Sequence, residues 1–377
     1  MSKNKTKKIF FVGGEDISLR IPMIKLLETF KYNVSAVGSE DKYFFEDQNI
    51  NYYKYSLKRR FSLFSDFFTF YDLYKLFKIK KPDIVQTFDT KPNVIAVFAA
   101  YFAGVPRIIR TINGMGSIFA YNSIRSYALR IIYCLFQFIT SLISEFTIFQ
   151  NKDDLNYFLS MRLMKKKKAI YVGGSGVSEL DFKKNIGTPD YLEKLKNEFD
   201  LYNKCVIILI SRIIKAKGII EYLESAKSLN KSEKGIKFLL VGPVESGDDS
   251  IDISSIKKYE EFCVYLGYRN DISSLIHLSD IVVLPSYYKE GVPRTLIEGA
   301  SLSKPLISTD VSGCRDIVLH QHNGIIIPPK NVDKLSKAIK FLSDNPDVRR
   351  DMGIKGKELV RQKFSLEVVC EGWRGLY

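Results

Sequence analysis

The sequence predicts an α/β fold with two Rossmann-like, doubly wound domains. Its 377 residues are too many for one hydrophobic core and suit two domains of roughly 180 residues each. Short apolar runs alternate with segments long enough for a helix in both halves of the chain, a pattern typical of parallel sheets covered by helices. The predicted strands are Lys8–Gly13, Asn33–Gly38, Ile50–Tyr55, Asp83–Phe88, Arg107–Asn113, Glu145–Gln150, Ala169–Gly173, Cys205–Arg212, Lys237–Gly242, Cys263–Gly267, Ile281–Pro285, Pro305–Thr309 and Gly324–Pro328.

The two domains are expected to meet near residues 175–190, where GSGVSELDF gives way to a Gly-Thr-Pro loop. A charged helical pattern over Tyr191–Asp200 follows this loop. The division predicts a first domain over residues 1–183, a second over residues 184–363 and a final helical segment over residues 364–377.

The net charge of +15 is concentrated in the first half of the chain. Residues 1–185 carry 29 Lys and Arg against 16 Asp and Glu, whereas residues 186–377 carry 28 against 26. A one-sided positive charge favours an anionic partner, either nucleic acid or the surface of an anionic membrane. Solubility alone is the simpler explanation.

Cysteine spacing and apolar segments indicate a cytoplasmic protein. The five cysteines lie far apart without a CxxC pair, which favours reduced thiols over disulfides or a zinc site. The N-terminal MSKNKTKKIFFVGG has no long apolar region, so no signal peptide is predicted. The most apolar segment, Ile131–Ser144, is 14 residues long. A membrane span needs about 20, so we expect a buried or half-buried helix there.

The segment Ser56–Lys81 is dense in aromatic and basic residues. Aromatic side chains flanked by cations suit a helix that lies in a membrane interface, although an ordinary core-facing helix is equally compatible. At helical spacing the aromatic residues are expected largely on one side, with the cations nearby. They are Phe61, Phe64, Phe68, Tyr71 and Phe77, with Arg59, Arg60, Lys75, Lys78 and Lys80.

Two glutamates flank a strand-to-helix turn in the second half, with seven residues between them. The apolar run Ile281–Leu284 predicts a buried strand, and Glu290 and Gly291 lie in the loop beyond its carboxyl end. Pro293 suits the first position of a helix, which places Glu298 one to two turns into it. Ligands of open α/β sheets bind at this edge, and a helix N-terminus attracts anions.

A second pair of polar residues follows the strand predicted from Val206. The sequence SRIIKAKG places Arg212 and Lys217 in a loop before a helix. Arg presents a planar fork to phosphate oxygens and Lys adds a point charge. Two such cations in a basic protein are usually surface residues. Beside Glu290 and Glu298, however, they predict a site that holds a diphosphate with cations and hydroxyl groups with carboxylates.

These segments occur in an order that resembles the retaining family 4 glycosyltransferases of the GT-B fold. The order is SRIIKAKG, then Glu290 and Glu298 within EGVPRTLIEGASLSKPLISTDVSG, then NGIIIPP. The resemblance covers nearly the whole chain and is strongest from about Val206 to Val369. It implies two domains facing a cleft, with a C-terminal helix, within Phe364–Tyr377, that crosses back to the first domain.

The resemblance also implies roles for the residues of the second half. Arg212 and Lys217 would bind the donor diphosphate and stabilise the departing nucleoside diphosphate, a large catalytic effect. Glu298 would accept hydrogen bonds from the ribose hydroxyls, and Glu290 would face the transferred sugar. The backbone of Gly291 and Val292 would contact the sugar or the distal phosphate.

In the first half, Gly13 and Gly14 resemble the glycine loop that closes over the donor. The sequence departs from many family members at TINGMG, where Asn113 takes the place of a histidine near the donor sugar. Asn113 can hydrogen-bond the sugar but cannot act as a general base. TINGMG resembles a subgroup that elongates glycans linked to polyprenyl (undecaprenyl) diphosphate, and this implies UDP-hexose or UDP-hexosamine donors.

No metal or cofactor is expected. A metal-dependent transferase of the other common fold would need a D-x-D motif, and the nearest cluster, GDDSID over residues 247–252, lacks that spacing. The segment VGGSGV does not complete a dinucleotide-binding G-x-G-x-x-G motif. The histidines, His277, His320 and His322, are too few and too scattered for a metal site.

The sequence therefore predicts a retaining hexosyltransferase that needs only a nucleotide sugar, expected to be a UDP-sugar, as co-substrate. The expected acceptor is a lipid-diphosphate-linked glycan in the assembly of surface polysaccharide, lipopolysaccharide O-antigen or glycoprotein glycans. The expected location is cytoplasmic, peripheral on the anionic inner face of the plasma membrane, with no nucleic-acid partner. The alternative is a non-catalytic protein of the same fold that binds anionic lipid or nucleic acid through its basic first domain.

Overall fold

The structure, a computed structural model, describes residues 6–58, 62–116, 119, 123–232, 235–245, 247 and 249–377. The chain divides into two compact units. The first contains Met1–Gly176 and Leu366–Tyr377, and the second contains Val177–Ser365. Both are parallel α/β units, which confirms the predicted fold class.

The first unit contains seven parallel strands in the order β3-β2-β1-β4-β5-β6-β7. From β1 the chain adds β2 and β3 on one side and then returns to add β4 to β7 on the other side. The strand order therefore reverses between β1 and β4. Its elements are β1 (Lys8–Val12), α1 (Ile21–Thr29), β2 (Asn33–Gly38), α2 (Tyr43–Glu46), β3 (Tyr52–Lys54), α3 (Leu63–Lys80), β4 (Ile84–Phe88), α4 (Pro92–Ala103), β5 (Arg107–Ile112), α5 (Ile124–Ile143), β6 (Phe146–Phe149), α6 (Lys152–Ser160) and β7 (Ala169–Tyr171).

The second unit contains six parallel strands in the order β10-β9-β8-β11-β12-β13, with the reversal between β8 and β11. Its elements are α7 (Glu179–Lys184), α8 (Pro189–Phe199), β8 (Cys205–Ile210), α9 (Ile219–Ser232), β9 (Ile236–Val241), α10 (Ile253–Lys257), β10 (Val264–Tyr265), α11 (Ile272–Leu278), β11 (Ile281–Leu284), α12 (Arg294–Ser301), β12 (Leu306–Thr309), α13 (Cys314–Ile317), β13 (Gly324–Ile327), α14 (Val332–Asp344) and α15 (Pro346–Leu359). The last helix of the chain, α16 (Leu366–Arg374), belongs to the first unit.

Each predicted strand corresponds to a strand of the structure, because fully buried parallel strands leave continuous apolar runs in the sequence. The first boundary differs from its expected position after residue 183, since the division falls after Gly176. Helix α7 lies with the second unit because Glu179 binds Lys357 at 3.2 Å and Arg361 at 2.8 Å.

Helix α16 completes the core of the first unit. Trp373 is fully buried, and its ring lies 5.7 Å from that of Phe11 and 5.6 Å from that of Phe88. The hydroxyl of Tyr377 hydrogen-bonds the buried side chain of Gln86 on β4. These contacts confirm the predicted return of the C-terminal helix to the first domain.

Helix α3 forms the aromatic and basic segment, and it is divided differently from the prediction. Phe64, Phe68 and Tyr71 are exposed, whereas Phe77 is buried with Leu73 against the sheet. Phe77 was therefore wrongly grouped with the exposed aromatics. Six residues after Tyr71, it lies well around the helix from that side. The predicted residues Arg59, Arg60 and Phe61 lie outside the described part of the chain.

Helix α5 is longer than the predicted apolar segment, and much of its surface is exposed. Within the described residues it is the one helix long and apolar enough to cross a membrane, and 22% of its 18-residue apolar window is buried. Ile131 and Leu135 are 71% and 55% exposed, so of the two expected arrangements the structure shows the half-buried one. The buried positions are Tyr133, Gln137, Thr140 and Ser141.

Candidate active site

The predicted cationic loop and the predicted glutamate loop meet at the reversal point of the second sheet. Strands β8 and β11 are paired in parallel, so the loops after them leave the same edge side by side. Gly218 has a φ of +75°, and a Cβ added there would lie 2.2 Å from the carbonyl oxygen of Pro285. Only glycine allows the turn that carries Lys217 to lie this close to the end of β11.

Lys217 and Glu290 form an ion pair at the centre of this edge. Lys217 Nζ lies 2.5 Å from Glu290 Oε1, and the two side chains are only 11% and 10% exposed. The hydroxyl of Ser286 donates a second hydrogen bond, of 2.9 Å, to the same oxygen. Removing one partner of such a shielded pair leaves the other charge buried and unpaired, which strongly destabilises the folded protein. The two residues therefore hold each other in place.

The backbone of the glutamate loop is anchored to the cationic turn. The N–H groups of Tyr287 and Tyr288 both donate to the carbonyl oxygen of Ala216, at 2.9 and 3.2 Å. The ring of Tyr288 lies under both cations, 5.8 Å from Arg212 and 5.2 Å from Lys217. A shared aromatic face attracts both positive charges and keeps them on one side of the loop.

Arg212 has a carboxylate partner that the sequence did not indicate. Its Nη1 donates to Glu245 Oε2 at 2.9 Å, and Glu245 lies in the loop after β9, the neighbour of β8. Burial opposes the charge of Arg212, but Tyr288 and Glu245 outweigh it and raise the pKa of the guanidinium. The sequence signal for Glu245 was its position shortly after the predicted strand Lys237–Gly242.

Glu298 lies in the second turn of α12 and is 8% exposed. Burial raises the pKa of its carboxyl, while Arg294, whose Nε lies 2.7 Å from Glu298 Oε1, acts in the opposite direction. Pro293 is the residue before the helix, with ψ 120°, and the helix begins at Arg294. The predicted start was therefore one residue too early.

Gly291 and Val292 are enclosed by the loop that follows β12. Gly313 in that loop has a φ of +77°, and a Cβ added there would lie 1.5 Å from the carbonyl oxygen of Gly291. Val292 is 5% exposed. This close backbone approach fixes the segment that leads from Glu290 into the N-terminus of α12.

The arrangement brings Arg212, Lys217 and Glu290 together around adjacent strand ends and the ring of Tyr288. Glu298 lies in the helix that follows the glutamate loop, paired with Arg294. Arg212 and Lys217 are each paired with a carboxylate here. A bound diphosphate would therefore compete with Glu245 and Glu290 for these cations, and its release would restore both ion pairs.

In the first unit, Gly14 and Asn113 are joined through Asp89. The N–H of Gly14 donates to Asp89 Oδ2 at 3.1 Å, and Asn113 Nδ2 donates to Asp89 Oδ1 at 3.0 Å. The carbonyl oxygen of Gly13 accepts from the Tyr55 hydroxyl at 2.6 Å. These residues follow β1, β4 and β5, three neighbouring strands, so they share one edge of the sheet.

Asp89 was not singled out from the sequence. It has a φ of 67°, a left-handed conformation that is uncommon for residues other than glycine and often found at functional sites. The available signal was its place directly after the predicted strand Asp83–Phe88, in TFDTKP. Local sequence propensity could not predict the role of Asp89, because its carboxylate binds residues that lie 75 and 24 positions away in the chain.

Asp16 lies beside Asp89 at this edge. Burial and then the negative charge of Asp89 raise the pKa of the Asp16 carboxyl to about 7. Because Asp16 as a whole residue is exposed, we assign more of this shift to Asp89 than to loss of solvent. Among the described residues, no group of three or more His, Cys, Asp or Glu is placed to hold a metal ion.

Comparison with protein families identifies the class of protein. Residues 8–145 match the model "Glycosyl transferase 4-like", and residues 193–359 match "Glycosyl transferases group 1". Together the two models cover most of both units. The chain is therefore a glycosyltransferase and belongs to this family, as the motifs predicted.

Relatives and solved structures agree with this assignment. The chain is 27% identical to the N,N'-diacetylbacillosaminyl-diphospho-undecaprenol alpha-1,3-N-acetylgalactosaminyltransferase of Campylobacter jejuni, over 97% of this chain and 96% of that one. It is 26% identical to the UDP-Gal:alpha-D-GlcNAc-diphosphoundecaprenol alpha-1,3-galactosyltransferase of Escherichia coli, over 88% and 85%. The fold matches Anabaena HepE in complex with UDP and glucose, with a TM-score of 0.79, 15% identity and coverage of 98% and 99%.

The Asp16–Asp89 pair makes stability depend on pH in a predictable direction. The pKa of Asp16 rises from 3.8 to about 7 on folding, so the folded state retains a proton that the unfolded state releases. Wild-type stability should therefore fall, relative to Asp16→Asn, as the pH rises from about 4 to about 7. Thermal unfolding across this range measures the difference, with Glu15→Gln as the neighbouring control. A constant difference in melting temperature would contradict the coupling.

Proposed function

We propose that this glycosyltransferase moves a hexose or N-acetylhexosamine, with retention, from a UDP-sugar to a lipid-diphosphate-linked glycan. The observation that carries the proposal is the Lys217–Glu290 pair at the reversal point of the second sheet, with Arg212 beside the same Tyr288 ring and Glu298 in the helix that follows. That position is the usual ligand site of a doubly wound unit.

The donor diphosphate is assigned to the two cations. Arg212 offers a bidentate fork and Lys217 a compact charge, both held over Tyr288 and therefore oriented before any ligand arrives. Negative charge grows on the diphosphate as the bond to the sugar breaks, so fixed positive charges act mainly in the transition state. For the same reason we propose that the reaction needs no metal ion and no cofactor.

The hydroxyl groups of the donor are assigned to the two glutamates. An ionised carboxylate can only accept hydrogen bonds, which suits ribose and sugar hydroxyls. Glu298 lies within α12 and would bind the ribose, and Glu290 lies in the loop and would face the sugar. In the first unit, Gly13, Gly14 and Asn113 are proposed as donor contacts, with Asp89 positioning Gly14 and Asn113.

The names of the two relatives support a lipid-linked acceptor. Both the Campylobacter jejuni and the Escherichia coli enzymes are named for a diphospho-undecaprenol substrate, and the latter for UDP-galactose as donor. An acceptor of this kind fits the net charge of +13 on residues 1–185 and the exposed aromatics of α3. We propose that the protein is cytoplasmic and binds the inner face of the plasma membrane.

The proposed reaction proceeds on one face of the sugar. The acceptor hydroxyl oxygen forms a bond to the anomeric carbon as the bond to the diphosphate oxygen breaks, and the acceptor proton passes to the departing phosphate. Because attack and departure share one face, the configuration at the anomeric carbon is retained. No enzyme nucleophile takes part.

The function is tested with a panel of UDP- and GDP-sugars and a lipid-diphosphate-linked glycan acceptor. We expect transfer from a UDP-sugar, with mass spectrometry showing the added mass and NMR showing the donor's anomeric configuration in the product. Transfer with inversion would contradict the mechanism. Absence of both transfer and donor hydrolysis would favour a non-catalytic binding protein.

Glu290→Gln tests the central carboxylate. We expect turnover to fall by about 10²-fold or more, the size of effect typical for loss of one electrostatic group in an active site. Glutamine retains the volume of the side chain and an acceptor for Ser286, and circular dichroism checks that the variant folds although Lys217 loses its charged partner. Glu260→Gln, an exposed site in the same unit, is the matched control. Wild-type turnover in Glu290→Gln would remove Glu290 from the site.

Arg212→Ala and Lys217→Ala test the diphosphate assignment. Each should lower kcat/KM for the nucleotide sugar by at least about 10-fold, the loss expected of one charge-assisted contact. Exposed Lys258→Ala is the control, and circular dichroism checks that Lys217→Ala, which leaves Glu290 without its partner, still folds. Unchanged kinetics in folded variants would exclude these cations from the donor site.

A further inference from the structure

Helix α5 turns polar side chains toward the interior and apolar side chains toward solvent, the reverse of the usual pattern of a surface helix. Its buried positions are Tyr133, Gln137, Thr140 and Ser141, so three of the four carry neutral polar groups. Its outward side is apolar and exposed. The large apolar residues on that side are Ile124, Tyr127, Ile131, Ile132, Leu135, Phe138 and Leu142, exposed by 42 to 91%. Continuous exposed apolar surface of this extent marks an interaction site in a folded protein.

A buried arginine explains the polar inward side. Arg110 on β5 is fully buried, and its side-chain partners among the described residues are all neutral. It donates to Gln137 Oε1 at 2.9 Å, to Thr140 Oγ1 at 2.5 Å and to Thr147 Oγ1 at 2.8 Å. The polar residues of α5 must face inward to satisfy this charge, so the apolar residues face outward.

An open pocket of about 450 Å³ lies beside the C-terminal half of this helix. Its apolar lining residues are Phe138, Leu142 and Met164. Basic residues of the segment between α6 and β7 form a cationic wall. They are Arg162, Lys165, Lys167 and Lys168. A pocket lined by both apolar and cationic side chains fits an anionic amphiphile.

Lys168 fixes the base of the pocket to the helix. Its Nζ donates to three carbonyl oxygens at the end of α5, those of Ser141 and Leu142 at 3.0 Å and that of Ser144 at 2.6 Å. Burial, followed by the charges of Arg110, Lys165 and Lys167, lowers the pKa of Lys168. Positive charges are thus gathered at one end of the apolar face, where an anion would relieve their repulsion.

We propose that this pocket binds the phosphate head group of an anionic phospholipid while the outer face of α5 lies among the acyl chains. The proposal rests on the membrane association proposed above and assigns it a second element besides α3. A free phosphate ester would use only the cationic wall and leave the apolar face exposed to water. A helix crossing the bilayer would have to leave Arg110 without its partners, so α5 lies along the membrane surface instead.

The head-group half is tested by flotation of the full chain with vesicles of phosphatidylcholine, with and without phosphatidylglycerol. The double variant Lys165→Glu, Lys167→Glu should lower the partition coefficient on phosphatidylglycerol vesicles by at least about 10-fold, since each basic residue near the surface contributes about 5-fold. The control Lys194→Glu, Lys334→Glu makes the same charge change at exposed sites of the second unit. Equal binding by both double variants would overturn the head-group site.

The apolar half is tested with Ile131→Ser, Leu135→Ser, which are 71% and 55% exposed. Binding should weaken at least 10-fold on the same vesicles, whereas Ile253→Ser, Ile354→Ser, similarly exposed in the second unit, should bind like wild type. Unchanged binding by the α5 variant would overturn insertion of this face.

Two further arms separate the sources of phosphate and the two proposals. Glycerol 3-phosphate in solution should not displace the protein from vesicles, and displacement at millimolar concentration would instead indicate a site for free phosphate esters.

Transfer to a short-chain, water-soluble acceptor should be equal in wild type and in all four double variants. Loss of that transfer only in the pocket variants would contradict a role confined to the membrane. Its absence in wild type would count against the proposed function and leave vesicle binding as the separate result.

Discussion

The ion pair between Lys217 and Glu290 is the interaction on which the rest of the candidate site depends. It joins the loop after β8 to the loop after β11 across the reversal point of the sheet, with both side chains about one-tenth exposed. Tyr288 then orients both cations, and the close approach of Gly313 fixes Gly291 beside Glu290. In the proposed reaction the donor diphosphate would take the place of the carboxylate partners of two cations that Tyr288 already holds on one side of the loop.

The strands and the donor-side residues could be predicted from the sequence because both follow from local pattern. Buried parallel strands leave apolar runs, and polar residues just after those runs collect at one sheet edge. Glu245 and Asp89 could not be predicted this way, since their roles arise from partners on neighbouring strands far away in sequence. The apolar composition of α5 predicted a buried or half-buried helix but could not show which side would be exposed, because nothing local indicates that buried Arg110 binds polar groups on the inward side.

The two units differ in the chemistry of their surfaces. The second unit pairs its candidate-site charges around a sheet edge, where an anionic ligand could exchange with the existing partners. The first unit carries most of the positive charge and leaves the apolar sides of α3 and α5 exposed. A soluble nucleotide sugar and a lipid-linked acceptor differ in the same way, and this division supports the proposal that the nucleotide is held mainly by the second unit and the lipid by the first.

A crystal structure of the protein with a bound UDP-sugar tests the donor site most directly. We predict that diphosphate oxygens lie within hydrogen-bonding distance of Arg212 and Lys217, with the Lys217–Glu290 contact lengthened or broken. We also predict the ribose hydroxyls at Glu298 and the sugar beside Glu290. A diphosphate bound away from both cations, with the Lys217–Glu290 pair intact, would contradict these predictions.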